Sequence, residues 1–323
     1  MNLLPDLSPS LRLPAPAKLN LFLHVTGRRA DGLHLLETVF QFIDLQDHLT
    51  LTVVPDGNIT RAREHPGITQ HDDLTLRAAR ALQNATGCRL GARIALEKTI
   101  PIGAGLGGGS SDAATVMLGL NTLWQLSLSR EQLIDIARPL GADIPVFIFG
   151  QNAYATGIGD ILQPVTLPER WFVLLMPHTQ VSTAGIFAAP ELTRNTKPIT
   201  IQGFTAMAGR NDLQPVVEAR QPAVKAAVQI LEQAQQRVAS RIGQDAARDI
   251  TVRMTGSGAC VFASASSRDV AIAVFEAVQQ ASKKNADLRQ TPASERITMR
   301  TEFGTLHVVR GLASHPLGSR QVG

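Results

Sequence analysis

Seven consecutive positions, Gly103 to Gly109, hold five glycines, and Ser110, Ser111 and Asp112 follow them. Glycine in ordered structure costs backbone entropy and packs no side chain. What it offers is close backbone approach and free choice of φ. The run passes directly into Ala113-Ala114-Thr115-Val116-Met117-Leu118, which reads as helix. A bare loop feeding a helix N-terminus turns N–H groups toward a ligand, and the helix dipole favours negative charge there. The chemistry expected of this segment is phosphate binding.

Three kinds of phosphate loop compete with a flexible linker. A Walker loop needs a lysine after its last glycine, and here Gly109 and Ser110 follow Gly108. The spacing of Gly103, Gly105 and Gly108 satisfies a dinucleotide fingerprint. That fold also needs a second strand with an acidic end about 20 residues on, whereas the chain runs through Trp124-Gln125-Leu126-Ser127 into another helical pattern. A longer loop around a nucleoside triphosphate, closed by the hydroxyls of Ser110 and Ser111, fits better. Those hydroxyls could reach a phosphate oxygen or a magnesium ion. Linkers rarely separate an apolar strand pattern from an apolar helix pattern.

Other candidates are single residues. Lys18 and Asn20 share one face of an alternating stretch, either as reactive groups or as an ordinary polar strand face. Asp143 precedes Pro145 closely, which suits a helix N-cap and equally a general base. His34 by itself reads as a surface histidine and Phe187 as a core aromatic. The eight histidines show no HExxH or other metal-binding spacing.

These residues need a scaffold. Residues 1–14 read as a loose arm. From Lys18 to Val25, Leu19, Leu21, Leu23 and Val25 face one way and Lys18, Asn20, Phe22 and His24 the other. Strand patterns cover Thr38–Leu45, His48–Val54, Ala92–Lys98 and Trp171–Met176. Asp72 or Asp73 caps a helix ending at Gly87. A helix from about Asp112 to Trp124 turns Ala114, Met117, Leu118, Asn121 and Trp124 to a core. Ser129 and Gln132 form a capping box for a helix ending near Pro139–Gly141. Helical patterns recur at Leu213–Ala219, Ala223–Ala239 and Asp269–Gln279. Thr255-Gly256-Ser257-Gly258 is a small-residue turn before a buried strand. Ser282–Glu295 is polar and basic, an exposed loop. Prolines 164–168 mark a boundary, giving domains 1–164 and 165–323. Strands and helices alternate irregularly, so the fold class is α+β with mixed sheets.

Composition narrows the field. The 323 residues are 44% hydrophobic, ample for folded domains. Aromatics are 4%, too few for a stacking platform for single-stranded nucleic acid. A net charge of +4 fits a small anionic ligand as well as it fits nucleic acid and does not decide between them. Cys88 and Cys260 make no paired framework, which suits a reducing cytoplasm. Neither a targeting segment nor a membrane span is expected.

Three blocks, Pro16-Ala17-Lys18-Leu19-Asn20-Leu21, Pro101 through Ala114, and Thr255-Gly256-Ser257-Gly258, resemble the GHMP kinases. Within that superfamily, Gly27 to His34, Leu140 to Phe147, Pro190 to Asn195 and Arg310 to Leu317 are similar to one branch. That branch phosphorylates the 2-hydroxyl of a cytidine-diphosphate-linked methylerythritol in the non-mevalonate isoprenoid pathway. The resemblance spans nearly the whole chain. It implies a two-domain fold with the active site in the cleft, ATP and Mg²⁺ as co-substrate and cofactor, and a monomer or homodimer. It implies Lys18 and Asp143 flanking the reacting hydroxyl, with Asn20 at the substrate. It implies Leu33, His34 and Phe187 around the cytosine. Lys98 would lie near the adenine, with Pro101, Gly103, Ala104, Gly105, Leu106, Gly107, Gly108, Gly109, Ser110 and Ser111 around the nucleotide. The chain departs from the branch at Leu33, where an aromatic residue is usual, at Asp73, where asparagine is usual, and in the length of the 282–295 insert.

Overall fold

The computed structural model describes residues 9–64, 69–199, 209–243, 249–282, 288–290 and 297–318. Two long strands lead, β1 (Ser10–Arg28) and β2 (His34–Val54), paired antiparallel so that Ser10 lies opposite Thr52 and Arg28 opposite His34. With β3 (Ile59–Arg61), β4 (Gly91–Glu97), β5 (Ala153–Thr156) and β6 (Ile161–Pro164) they form one mixed sheet, in which β3 and β4 run parallel. The second sheet runs β10-β11-β12-β7-β9-β8 and is antiparallel throughout. Its strands are β7 (Trp171–Met176), β8 (Val252–Met254), β9 (Val261–Ala265), β10 (Leu288–Gln290), β11 (Ile297–Thr301) and β12 (Gly304–Arg310).

The helices are α1 (Leu74–Thr86), α2 (Gly108–Leu123), α3 (Arg130–Ala137), α4 (Ile144–Phe149), α5 (Thr183–Phe187), α6 (Gln214–Arg220), α7 (Pro222–Ile242) and α8 (Arg268–Ala281). Alternation along the strands sorts the side chains into three cores. Phe42 and Leu51 of the first sheet pack with α1–α4. Val173 and Leu175 of β7 pack with α6–α8. Phe172 and Leu174, on the other face of β7, meet Leu19, Ile43 and Leu45 of the first sheet. The molecule is therefore helices, sheet, sheet, helices, and β7 is buried along its whole length.

Several sequence expectations are met closely. Asp73 caps α1 by accepting from Thr75 N, and Gly87 ends it in the left-handed region. Ser129 and Gln132 form the capping box of α3. Others need correction. Residues 10–14 are not an arm but the start of β1, with Leu13 buried. Thr38–Leu45 and His48–Val54 are one strand. The polar residues between them read as a break. However, Asp47 is buried and accepts hydrogen bonds from Thr99 N and Ile100 N. The ladder absorbs the irregularity as a bulge, Pro16 pairing with Gln46 and Ala17 with Ile43. A second irregularity between Asn20 and Leu23 turns Phe22 into the inter-sheet core with Leu19 and Leu21, off the face shared by Lys18 and Asn20. Helix α2 starts at Gly108, four residues early, and is buried nearly all round. Gly119 allows its seat on the sheet, where a Cβ would meet Leu51 at 2.5 Å and Leu13 at 2.6 Å. The 282–295 insert lies largely outside the described residues, apart from β10 within it.

Candidate active site

The glycine loop alternates. Gly103, Gly105 and Gly107 have φ of +74°, +76° and +70°, a region that side chains disfavour. Between them Ala104 and Leu106 are buried in the inter-sheet core and anchor the loop. Ala104 O accepts from Cys260 N at 3.2 Å, and Leu106 O from Lys18 N at 3.0 Å. A Cβ on Gly105 would stand 2.5 Å from Thr255 O. The loop thus lies directly against the Thr255-Gly256-Ser257-Gly258 turn of the second sheet.

Gly107 is the N-cap of α2 and supplies no side-chain cap. Helix geometry leaves the N–H groups of the first turn, Gly108, Gly109 and Ser110, without intrahelical acceptors. The two central glycines differ in purpose. A Cβ on Gly108 would meet Ile100 Cγ2 at 2.9 Å and Lys98 Nζ at 3.0 Å, so Gly108 is there for internal packing. Gly109 is exposed, and a Cβ there makes only an ordinary contact with Leu74 at 3.6 Å.

Two cavities meet across this loop. One, of about 420 Å³, lies between the loop, the start of α1 and the end of β4, and includes Lys98, Pro101 and Gly109 in its wall. The other, of about 350 Å³, is lined by Lys18, Asn20, Asp143, Thr183, Phe187 and Ser257 among others. Gly103, Gly105, Gly107 and Ser110 belong to both walls. Ser111 belongs to neither: it is fully buried and its Oγ has no partner among the described residues.

In the second cavity Lys18 is buried. Its Nζ donates to Asn20 Oδ1 at 2.5 Å, lies 3.3 Å from Asp143 Oδ2 and stands 5.3 Å from the centre of the Phe40 ring. Asn20 Nδ2 donates to Thr38 Oγ1 at 2.9 Å, and Asn20 N to Thr255 Oγ1 at 2.8 Å. Asp143 sits at the N-cap position of α4, but its side chain makes no cap hydrogen bond and is 38% exposed. The helix is started instead by Pro145 in its first turn. The carboxylate is left to Lys18 and to the cavity.

Lys98 is held by two buried carboxylates, Asp47 at 2.6 Å and Asp112 at 2.7 Å. Burial pushes the Asp112 carboxyl up to about 7 against the pull of Lys98. Burial alone would lower the Lys98 ammonium, but the two carboxylates outweigh it and hold it raised. This triad ties the end of β4 to the first turns of α2. Asp73 is committed as well, to the α1 cap and to Arg61 Nε at 2.5 Å.

His34 and Phe187 stand side by side, with ring centres 5.0 Å apart and planes at 35°. Leu33 is 48% exposed and lines neither cavity. Arg194 joins the ring pair. It donates to His34 Nε2 at 3.1 Å and to the carbonyls of Phe187 at 3.1 Å, Ala189 at 2.6 Å and Leu192 at 2.9 Å. In the sequence Arg194 belongs only to a matching stretch, and nothing marks Asp47, Asp112, Arg61 or Thr183 as functional. Each has a partner on another element, His34 for Arg194, Lys98 for Asp47 and Asp112, Asp73 for Arg61 and Ser257 for Thr183, which periodicity cannot supply.

A profile of the GHMP kinases N terminal domain matches residues 73–151. A Bordetella parapertussis protein named 4-diphosphocytidyl-2-C-methyl-D-erythritol kinase is 48% identical over 311 residues, covering 94% of this chain and 96% of its own. One of the same name from Thiobacillus denitrificans is 51% identical over 269 residues, 83% of this chain and 91% of its own. The chain belongs to the 4-diphosphocytidyl-2-C-methyl-D-erythritol kinase family. A crystal structure titled 4-(cytidine 5'-diphospho)-2C-methyl-D-erythritol kinase is 30% identical, with a TM-score of 0.69 over 94% of this chain and 100% of that one. A mevalonate kinase structure, 11% identical with a TM-score of 0.61 over 94% of this chain and 99% of that one, shares the fold. The chain is thus a kinase of α+β GHMP fold. No helix among the described residues is long and apolar enough to cross a membrane.

Proposed function

We propose that this kinase transfers the γ-phosphoryl group of ATP to the 2-hydroxyl of 4-diphosphocytidyl-2-C-methyl-D-erythritol, with Lys18 and Asp143 at that hydroxyl. The observation that carries the reading is the meeting of two cavities at one glycine loop, with the Lys18–Asp143 pair in the wall of the second. Phosphoryl transfer asks mainly for in-line positioning and for charge neutralisation on the moving group. In this reading the triphosphate lies against the N–H groups of Gly108, Gly109 and Ser110, its adenine in the cavity beside Lys98 and Pro101. Asp143 orients the substrate hydroxyl and receives its proton. The buried ammonium of Lys18 faces the charge that develops during transfer. Asn20 holds Lys18 in place and faces the same cavity. His34 and Phe187 take the cytosine.

A magnesium ion on a triphosphate keeps water and phosphate ligands and needs only one or two groups from the protein. The Ser110 hydroxyl, in the wall shared by both cavities, fits that role, and the buried Ser111 hydroxyl does not. When bound, the ion neutralises phosphate charge. Kinetically, ADP release measured with the cytidyl substrate, mevalonate and homoserine in parallel tests the assignment. Release that depends on the cytidyl substrate alone is expected. Faster release with either of the other two overturns it.

A further inference from the structure

Asp143 opens a helix too short to stand alone. α4 has 6 residues, and a helix of that length depends on what holds its ends. Its far end is held by chain from elsewhere. Arg130 donates to the Ile148 carbonyl and, at 2.7 Å, to that of Leu317. His315 N donates to Gly150 O at 3.0 Å. Gly150 takes a φ of +79°, and a Cβ there would stand 2.8 Å from the Arg130 guanidinium. Asn152 fastens the same returning segment to β2: it accepts from Phe42 N and donates to the carbonyls of Leu312 and Ala313.

Inside that clamp three buried rings meet, those of Phe42, Phe147 and His315. His315 stands edge-on to both phenyl rings, 5.3 Å from Phe42 and 6.4 Å from Phe147, which are 5.6 Å from each other. Phe147 follows Asp143 by about one helical turn, so the two share a side of α4. The tip of its ring reaches the glycine loop. A Cβ on Gly107 would stand 3.0 Å from Phe147 Cζ, 3.0 Å from Lys18 Cε and 3.1 Å from Lys18 Cγ. Ring and lysine stem thus converge on the space that Gly107 leaves open at the start of α2. Neither Phe147 nor His315 lines either cavity.

We propose that Phe147 is a positioning residue for phosphoryl transfer: seated by His315 of the C-terminal return, its ring keeps the Lys18 stem in place beside the glycine loop, so that the ammonium meets Asp143 at the reacting hydroxyl. One short helix carries the carboxylate at its start and the ring a turn later, and so sets both members of the pair. Close packing transmits small displacements, and a shift of about 1 Å in a reacting group can cost roughly 10²-fold in rate. Substrate binding is less exposed to such a shift, because the ring touches neither cavity. This inference rests on the reading of Lys18 and Asp143 above.

The test is a double-mutant cycle on the single-turnover rate, with Phe147→Met and Asp143→Asn. Methionine keeps much of the volume but no fixed shape. Phe147→Met is expected to slow transfer about tenfold, with ATP and CDP affinities within about twofold of wild type. In the Asp143→Asn background the same change should cost less than about twofold, because the pair it supports is already broken. A residue that only supports the fold gives the same factor in both backgrounds, and that result overturns the proposal. A wild-type rate in Phe147→Met, or affinities that fall as far as the rate, overturn it too. Wild-type turnover in Asp143→Asn alone overturns the reading of the reacting pair, and the proposal with it. His315→Gln, which removes the ring behind Phe147, carries the same cycle if Phe147→Met does not fold. A slowing of about threefold that vanishes beside Asp143→Asn supports the proposal; a slowing that persists there, or none at all, overturns it.

Discussion

Lys18 and Asn20 were placed on one face by a period of two, and they do share it, one hydrogen-bonded to the other. Asp143 was legible only as a choice between helix cap and reacting group. In the structure its side chain makes no cap bond and faces Lys18. The Arg194–His34 contact and the two carboxylates around Lys98, Asp47 and Asp112, were not legible, since each joins separate elements; Lys98 itself was legible only through the family resemblance. Asp143→Asn is expected to cut turnover by roughly 10²-fold or more while leaving both substrates bound. Single-turnover kinetics beside equilibrium binding checks this, and near wild-type turnover removes Asp143 from the mechanism. Leu33→Tyr is expected to tighten CDP a few-fold, about 1 kcal/mol or less, by adding an aromatic face beside the subsite. Phe187→Ala should lose more CDP affinity than Leu33→Ala, since Leu33 is half exposed while Phe187 lines the cavity. Equal CDP affinity across these variants would mean the cytosine is not held here.

At the scale of elements, the strongest sequence signal was the loop feeding α2, but the glycines within it do different jobs. Gly108 reads from sequence as a phosphate contact. In the fold both glycines line the first cavity, but the missing Cβ of buried Gly108 makes room for Ile100 and Lys98, whereas Gly109 is exposed with space around it. Gly108→Val is therefore expected to destabilise the fold by roughly 1–3 kcal/mol through overpacking. Gly109→Val should leave stability within about 1 kcal/mol, as an exposed helical position tolerates, and weaken ATP. Thermal unfolding with and without ATP distinguishes them; equal melting temperatures for the two variants would contradict this division. The helix itself read as amphipathic, whereas its burial is nearly complete because sheet and helices enclose it on several sides. A stripe of apolar residues cannot announce a second buried face made of Gly, Ala, Ser and Thr. Likewise β2 read as two strands because a buried, fully paired Asp47 looks like a surface break.

On the scale of the molecule, the mixture of strands and helices gave the class, but the face-to-face packing of the two sheets lay beyond sequence patterning. Strands covered on both sides lose the polar alternation that would mark a single exposed face. The C-terminal segment also returns to the first half. Gly311 bridges to Ile43, and Arg130 donates to the carbonyls of Leu317, at 2.7 Å, and Gly318. His315 lies in this return, buried edge-on to Phe42 and accepting from Leu317 N. Burial, with the charge of Arg130 added, lowers its imidazole from 6.5 to about 3. Between those values the unfolded chain takes a proton that the native state refuses, so stability falls as pH falls below about 6.5. Removing the group in His315→Gln should flatten the pH dependence of unfolding free energy between pH 6 and 4 by about 1.4 kcal/mol per pH unit at most. An unchanged slope would mean that His315 takes up its proton without unfolding.

The central claim is that the Lys18–Asp143 pair directs phosphoryl transfer to one hydroxyl. Phosphorus NMR of the product made from ATP and 4-diphosphocytidyl-2-C-methyl-D-erythritol tests it most directly. The predicted result is a new phosphomonoester on the 2-oxygen, with the diphosphate bridge intact and ADP formed in equal amount. A phosphate on any other hydroxyl, or an unphosphorylated cytidyl substrate after prolonged incubation with enzyme, ATP and Mg²⁺, would contradict it.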